Sequence, residues 1–299
     1  MIHIIIHTLP YELNALEQTL IQLKRSSQYL NETHRVRIEV LLNANLTDWS
    51  NSVLNLNFFS SAYHDLIKLN EDWAECVLNI DNQGKFLGCN DLRRHTIRTT
   101  DADYIMYLDT DVVFNDTLLR RIFDSIEVIT NPLCIITPQL TRMWDNTWDI
   151  VSNENFFNEE ANHQNYFNRD PYRSTFFNSD TNLKPIPEFK FAGWGTTIST
   201  KLARFIDIPD SLGPYGLDDT FIMFACQIMK QHNTHPQQYV IEGELVIENN
   251  KYRLEYLKPL IKFIDRKEEF TQQSHSNFQL ELTKFNERLI NREHNSLHS

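Results

Sequence analysis

Residues 104–114 read YIMYLDTDVVF, and the reading of this stretch decides the fold. Tyr104, Ile105, Met106, Tyr107 and Leu108 have apolar bodies, and Asp109, Thr110 and Asp111 follow at once. A short apolar run with aromatics and a β-branched residue predicts a buried strand. Two carboxylates closing that strand are costly unless something cationic meets them. At the carboxyl end of a strand in an open α/β sheet they lie where such sheets bind ligands. Two acids one residue apart can both reach a divalent ion if the strand relaxes into a turn. The plain alternative is a strand running into an Asp-rich turn.

Upstream, Ile2 to His7 forms a compact apolar run that stops at Thr8-Leu9-Pro10. Leu13, Leu16, Leu20 and Leu23 then recur at helical spacing, and Val36 to Leu42 predicts a second strand ending at Asn43-Ala44-Asn45. Strand, helix and strand in this order open a parallel α/β sheet. Val53 to Phe59 reads as a third strand or edge segment, and Ala62 to Leu78 as mostly helical. Gly84, Gly88 and Asn90 mark a loop, and Asp91 to Thr100 predicts a helix carrying Arg93, Arg94 and Arg98.

Downstream, Asp116 is placed to cap a helix running to about Val128, and Leu133 to Thr137 predicts a strand. From Gln139 to Lys190 the chain is rich in Asn, acids and aromatics, among them Trp144, Trp148, Phe156 and Tyr166. So many aromatics argue against disorder, and a long ordered excursion is usually functional. Phe191 to Ser199 brings a strand with a Gly-Trp-Gly turn. Asp218-Asp219 opens a helix over Thr220 to Gln231 that is apolar on nearly every side, and Tyr239 to Ile247 predicts a last strand or hairpin. The tail from Lys251 reads as helical, with Phe278, Leu282, Phe285 and Leu289 as a stripe that packs on the body or on a partner chain. The expected architecture is α/β: a Rossmann-type, mostly parallel sheet flanked by helices, with a helical C-terminal extension. Residues 1–112 and 113–250 are expected to be two halves of one domain, with 251–299 as the extension.

The chain has 299 residues and a formal charge of −12, from 28 Lys and Arg against 40 Asp and Glu. That balance argues against broad nucleic-acid binding, because phosphate affinity is built largely from Lys and Arg. It suits a protein that handles an anionic ligand through a metal. Cys76, Cys89, Cys134 and Cys226 are scattered, without zinc-site or disulfide spacing. No apolar run approaches membrane-span length, and the start lacks a basic signal-peptide region. A cytoplasmic location with reduced thiols is expected.

Three polar strand ends, Thr8 to Glu12, Asn43 to Asn45 and Asp109 to Asp111, share one edge of a parallel sheet and line one crevice. A nucleotide fits there with its base near the first strand and its pyrophosphate at a metal. The chain has no Walker-type lysine loop and no GxGxxG, so a divalent ion must replace a glycine cradle.

With Gly88-Cys89-Asn90-Asp91-Leu92-Arg93, Ala102-Asp103-Tyr104-Ile105 and the DxD strand, the first part of the chain resembles a GT-A fold glycosyltransferase of the broad family-2-like kind. Ala192-Gly193-Trp194-Gly195 and Tyr215-Gly216-Leu217-Asp218-Asp219 resemble the second half of such enzymes. The resemblance covers roughly residues 1–125 and, less specifically, 190–232. It implies transfer from a UDP- or GDP-sugar to an acceptor hydroxyl, dependent on Mn²⁺ or Mg²⁺, with inversion as the first reading and retention as the alternative, residues 1–112 binding the nucleotide sugar and 113–250 the acceptor. Asp111 would hold the metal, and Asp109 would contact the metal or the ribose. Thr8, Pro10 and Glu12 would lie near the base with Asn43 close by, and Arg93 near the diphosphate. Gly193, Trp194 and Gly195 would face the acceptor. The acid pair departs from the usual Glu-Asp; Asp219 is favoured over Asp218 as the base. A late histidine on the metal points to His235, with His232 and Glu248 as alternatives. Arg93 beside Arg94 also fits a solvated helix face.

Two rivals remain. A haloacid-dehalogenase-like phosphohydrolase would use Asp109 as nucleophile with Thr137, Lys201 and the Asp218-Asp219 pair. A non-catalytic carbohydrate-binding protein would keep the fold without turnover. The acceptor is open: a carbohydrate is the default, and a protein or modified nucleobase is possible.

Overall fold

The computed structural model describes residues 1–44, 56–81, 84–143, 182–248 and 253–296. The excursion around Trp144, Trp148, Phe156 and Tyr166 and the segment at Asn45 and Val53 lie outside the described residues. Among the described residues the sheet holds nine strands: β1 (Ile2–Thr8), β2 (Val36–Asn43), β3 (Glu75–Asp81), β4 (Tyr104–Tyr107), β5 (Val112–Phe114), β6 (Cys134–Met143), β7 (Asn182–Ile186), β8 (Thr196–Ser199) and β9 (Gln237–Glu248). Their order is β3-β2-β1-β4-β8-β6-β9-β5, with β7 also on β9. The strands β3, β2, β1 and β4 run parallel, with Ile5 level with Tyr107 and Thr8 level with Leu42. The short β8 is inserted antiparallel, and β6 and β9 resume the common direction.

Helices cover both faces: α1 (Leu13–Ser27), α2 (Leu56–Lys68) and α4 (Leu118–Val128) lie on one side. On the other lie α3 (Cys89–Thr99), α5 (Thr200–Ile206), α6 (Asp218–Gln231) and the long α7 (Lys262–Ser296). Side-chain parity divides the core between them, because successive strand residues point to opposite faces. Ile4, Ile6 and Met106 pack with Leu16, Leu20 and Ile122, while Ile5, Ile105 and Tyr107 pack with Leu202, Phe221 and Phe278. A strand buried on both faces reads as a continuous apolar run, which explains IHIIIHT.

Four sequence expectations are corrected. The region read as one helix to Leu78 is α2, a turn at 69–74, and the edge strand β3; residues 56–59 belong to α2, not to a strand. No Gly or Pro marks that break, so the apolar pattern runs through it. Asp116 does not cap α4: Thr117 holds the N-cap position, and Asp116 accepts from Gln22 of α1. From Arg253 the tail is irregular or 3-10 helical until Lys262. The stripe on α7 packs on the body, with Phe278 and Phe285 edge-on to Phe221.

The second half of the sheet is stapled to α4 by a buried ion pair. Arg121 Nη1 donates to Glu244 Oε1 at 2.7 Å and Nη2 to the Glu242 carbonyl at 2.6 Å. Breaking a buried pair strands a charge in the core, so Arg121→Ala should cost about 3–5 kcal/mol in urea unfolding. An apolar Arg121→Met/Glu244→Leu double variant should lose much less.

Candidate active site

The parallel ends of β1 and β4 open onto a cavity of about 420 Å³. The turn after β4 lines it with Asp109, Thr110 and Asp111. Thr19 of α1 pins this turn: its hydroxyl donates to the Thr110 carbonyl at 2.7 Å and accepts from the Val112 amide at 3.3 Å. The turn is therefore a fixed element with two carboxylates, Asp109 half-buried and Asp111 buried.

The second acid pair lines the same cavity. Gly216 and Leu217 both adopt positive φ (90° and 53°), so the chain turns sharply into α6. A leucine there is a backbone outlier, with a cost on the order of 1–3 kcal/mol that surrounding contacts must offset. Those contacts are visible. Asn90 of α3 donates to the Gly213 and Gly216 carbonyls, and Ser274 of α7 donates to Gly216. Asp218 and Asp219 thus open α6 at the cavity wall, where a helix N-terminus favours negative charge.

Arg93 separates their roles. Its Nη1 donates to Asp218, its Nη2 donates to the Gly193 carbonyl at 2.6 Å, and its guanidinium lies 4.6 Å from the Tyr107 ring centroid. Arg93 and Asp218 are both buried, so the charge of Asp218 is matched inside the protein. Asp219 is partly open to the cavity, yet protein surrounds its carboxyl closely. Burial, with the nearby charge of Asp218, pushes its pKa up to about 6. Its Oδ1 accepts from the Thr220 amide. The solvated-face reading of Arg93 and Arg94 is corrected: both are buried, and Arg94 donates to the Pro209 and Gly213 carbonyls.

Of the remaining anticipated residues, Glu12, Gly193 and Trp194 line the cavity. Thr8 and Pro10 do not line it: Thr8 has the parity of Ile4 and Ile6 and lies 3.4 Å from the Tyr63 hydroxyl. Asn43 is buried and donates to the Leu87 carbonyl. Gly195 stays behind the wall at φ 71°, where an added Cβ would lie 2.9 Å from Val246. Gly193 is where the chain meets Arg93, since a Cβ there would sit 3.1 Å from Nη1. His235 is corrected. It precedes β9, at the sheet edge opposite the DxD turn, where its carbonyl accepts from Asn131. His232 lies beside Asn286 of α7. Glu248 pairs in register with Val112. The phosphohydrolase set is not assembled: Lys201 begins α5 at that opposite edge, and Thr137 lies beside Gln238.

The sequence reading missed His7, Tyr11, Cys89, Arg253 and Lys267, which also line the cavity. Burial, helped by Arg93, pulls His7 down to about 4, so it is a neutral imidazole. Burial pushes the Cys89 thiol up to about 12 and leaves it protonated. Arg253 Nη2 lies 2.6 Å from Asp111 Oδ2, so a cation already stands at this carboxylate. An all-oxygen carboxylate set that already accommodates a cation fits a hard divalent ion. Among the described residues no group of three His, Cys, Asp or Glu is placed to hold a metal. Such an ion would keep most of its positions for ligand oxygens and water.

No protein-family model and no curated protein matches the chain in sequence. Solved structures do match in fold. GalNAc-T7 with UDP, GalNAc and Mn²⁺ superposes with a TM-score of 0.51 at 13% identity, over 85% of this chain and 44% of that one. The chain has a GT-A fold. Residues 1–349 of S. aureus TarS with UDP match at a TM-score of 0.46 and 12% identity, over 95% of this chain and 70% of that one. This GT-A chain thus spans less than half the length of GalNAc-T7. No helix among its described residues is long and apolar enough to cross a membrane.

The two acids of the pair should separate in a stability assay. Arg93→Met strands Asp218 and should cost about 3–5 kcal/mol. Asp219→Asn should stay within about 1 kcal/mol of the parent, because it removes a charge that burial disfavours.

Proposed function

We propose that the protein transfers a sugar from a nucleotide-sugar donor to an acceptor hydroxyl with inversion, using Asp219 as general base. The observation that carries this reading is the division within the acid pair. Asp218 is matched by Arg93, and Asp219 faces the cavity with a pKa pushed up to about 6, in the same cavity as Asp109 and Asp111. A base should have a pKa near the working pH, so that it is deprotonated yet still takes a proton. The UDP, GalNAc and Mn²⁺ in the GalNAc-T7 structure support the choice of substrate class.

On this reading the base of the nucleotide sits against Leu9 and Tyr11, and the diphosphate lies toward the DxD turn. Asp109 and Asp111 would hold Mn²⁺ or Mg²⁺, which when bound neutralises charge building on the leaving diphosphate. Asp219 takes the proton of the acceptor hydroxyl as that oxygen attacks the anomeric carbon and the bond to the diphosphate breaks. Arg93 fixes the Gly193-Trp194 wall through the Gly193 carbonyl, which orients the acceptor side. The Trp194 indole N–H is buried without a hydrogen-bond partner among the described residues, and donates to a sugar oxygen on this reading.

The test is metal-dependent release of nucleoside diphosphate from a panel of UDP- and GDP-sugars, with the product anomer read by NMR. Asp219→Asn should lower kcat by roughly 10²–10⁴-fold at little change in donor affinity. In the parent, kcat/KM should rise as pH increases through about 6, because only the deprotonated carboxylate accepts the proton. Hydrolysis of p-nitrophenyl phosphate that disappears in Asp109→Asn would overturn this reading. Donor binding with no turnover would leave a binding protein.

A further inference from the structure

We infer that Arg253 and a divalent cation compete for the Asp111 carboxylate, so that Arg253 is the resident counter-charge of the ligand-free site. The inference rests on the metal-dependent reading above and concerns how that metal gains its place. Asp111 is buried, with its side chain 1% exposed, and a buried carboxylate needs a compensating charge whether or not a ligand is bound. Arg253 supplies it. Its Nη2 lies 2.6 Å from Asp111 Oδ2 and its Nε 3.8 Å from Glu12 Oε1. One guanidinium therefore serves two acids that reach the cavity from different turns. Glu12 is itself buried, with its pKa raised by desolvation against the pull of Arg253.

The position of Arg253 in the chain suits a contact that opens. The residue follows β9 and precedes the short 3-10 helix Glu255–Leu260. Its neighbour Leu254 ties the backbone to the Tyr11 carbonyl at 2.6 Å. The long side chain then changes partner without displacing the strand, and its guanidinium lies about 6.0 Å from the Tyr11 ring centroid. A dication at Asp111 and a guanidinium on the same oxygen repel each other, so binding the ion requires the arginine to leave. The displaced guanidinium stays in a cavity proposed to hold a diphosphate, which would accept it. Ion and nucleotide would then bind better together than either alone.

The test is titration of the full chain with Mn²⁺ alone, without nucleotide, reading free Mn²⁺ by electron paramagnetic resonance. Arg253→Ala should bind Mn²⁺ at least ten-fold more tightly than the parent, and the gain should vanish when both carry Asp111→Asn. If Arg253→Ala fails to fold by circular dichroism, Arg253→Gln keeps the length without the charge and should shift affinity the same way. Equal or weaker Mn²⁺ affinity in the folded variant, or no measurable binding in either protein, overturns the competition. Failure of the transfer reading would appear separately, as absence of donor turnover in the parent.

Discussion

The guanidinium of Arg93 is the contact on which the candidate site depends. It joins the Asp218 carboxylate at the start of α6, the Gly193 carbonyl and the Tyr107 ring of β4. These groups come from three separate parts of the chain, and one planar, permanently charged group suits all of them at once. A lysine would supply one point charge and lose the fork geometry. The bland residue in this arrangement is as constrained as the charged one, because Gly193 is where a side chain would press on Arg93.

Matching Asp218 internally has a chemical consequence. Two adjacent carboxylates at a helix start compete for the same compensating charge, and here the buried arginine goes to the first. The second keeps an open side toward the cavity and feels both desolvation and its neighbour's charge. Environment thus sets two identical side chains apart: one is matched by an arginine, and the other lines the cavity without that partner's ion pair. The DxD turn has its own form of the same problem, met in this structure by Arg253.

Much of the fold was legible. The runs at Ile2, Val36 and Tyr104 are buried on both faces, and continuous apolar sequence reports that directly. The β3 edge strand was not legible, because the chain passes from α2 through Asn70 to Asp72 without a Gly or Pro. In the site, residue type identified the acids, but strand parity decided which flanking residues face the cavity. Thr8 shares the parity of Ile4 and points to Tyr63, while His7, one residue earlier, lines the wall. Long-range partners were beyond reach: Arg93 meets Asp218 across 125 residues, and Arg253 meets Asp111 from beyond the last strand. His235 has suitable chemistry at the wrong sheet edge, which only topology reveals.

The central claim is that Asp219, with Asp218 held by Arg93, carries the titratable carboxylate of the site. Its most direct test is a ¹³C NMR titration of the protein labelled at aspartate carboxyl carbons, compared with Asp219→Asn. The account predicts one carboxyl with a midpoint of about 6 that is missing from the variant. A carboxyl titrating there that persists in Asp219→Asn, or none above the ordinary aspartate range in the parent, would contradict it.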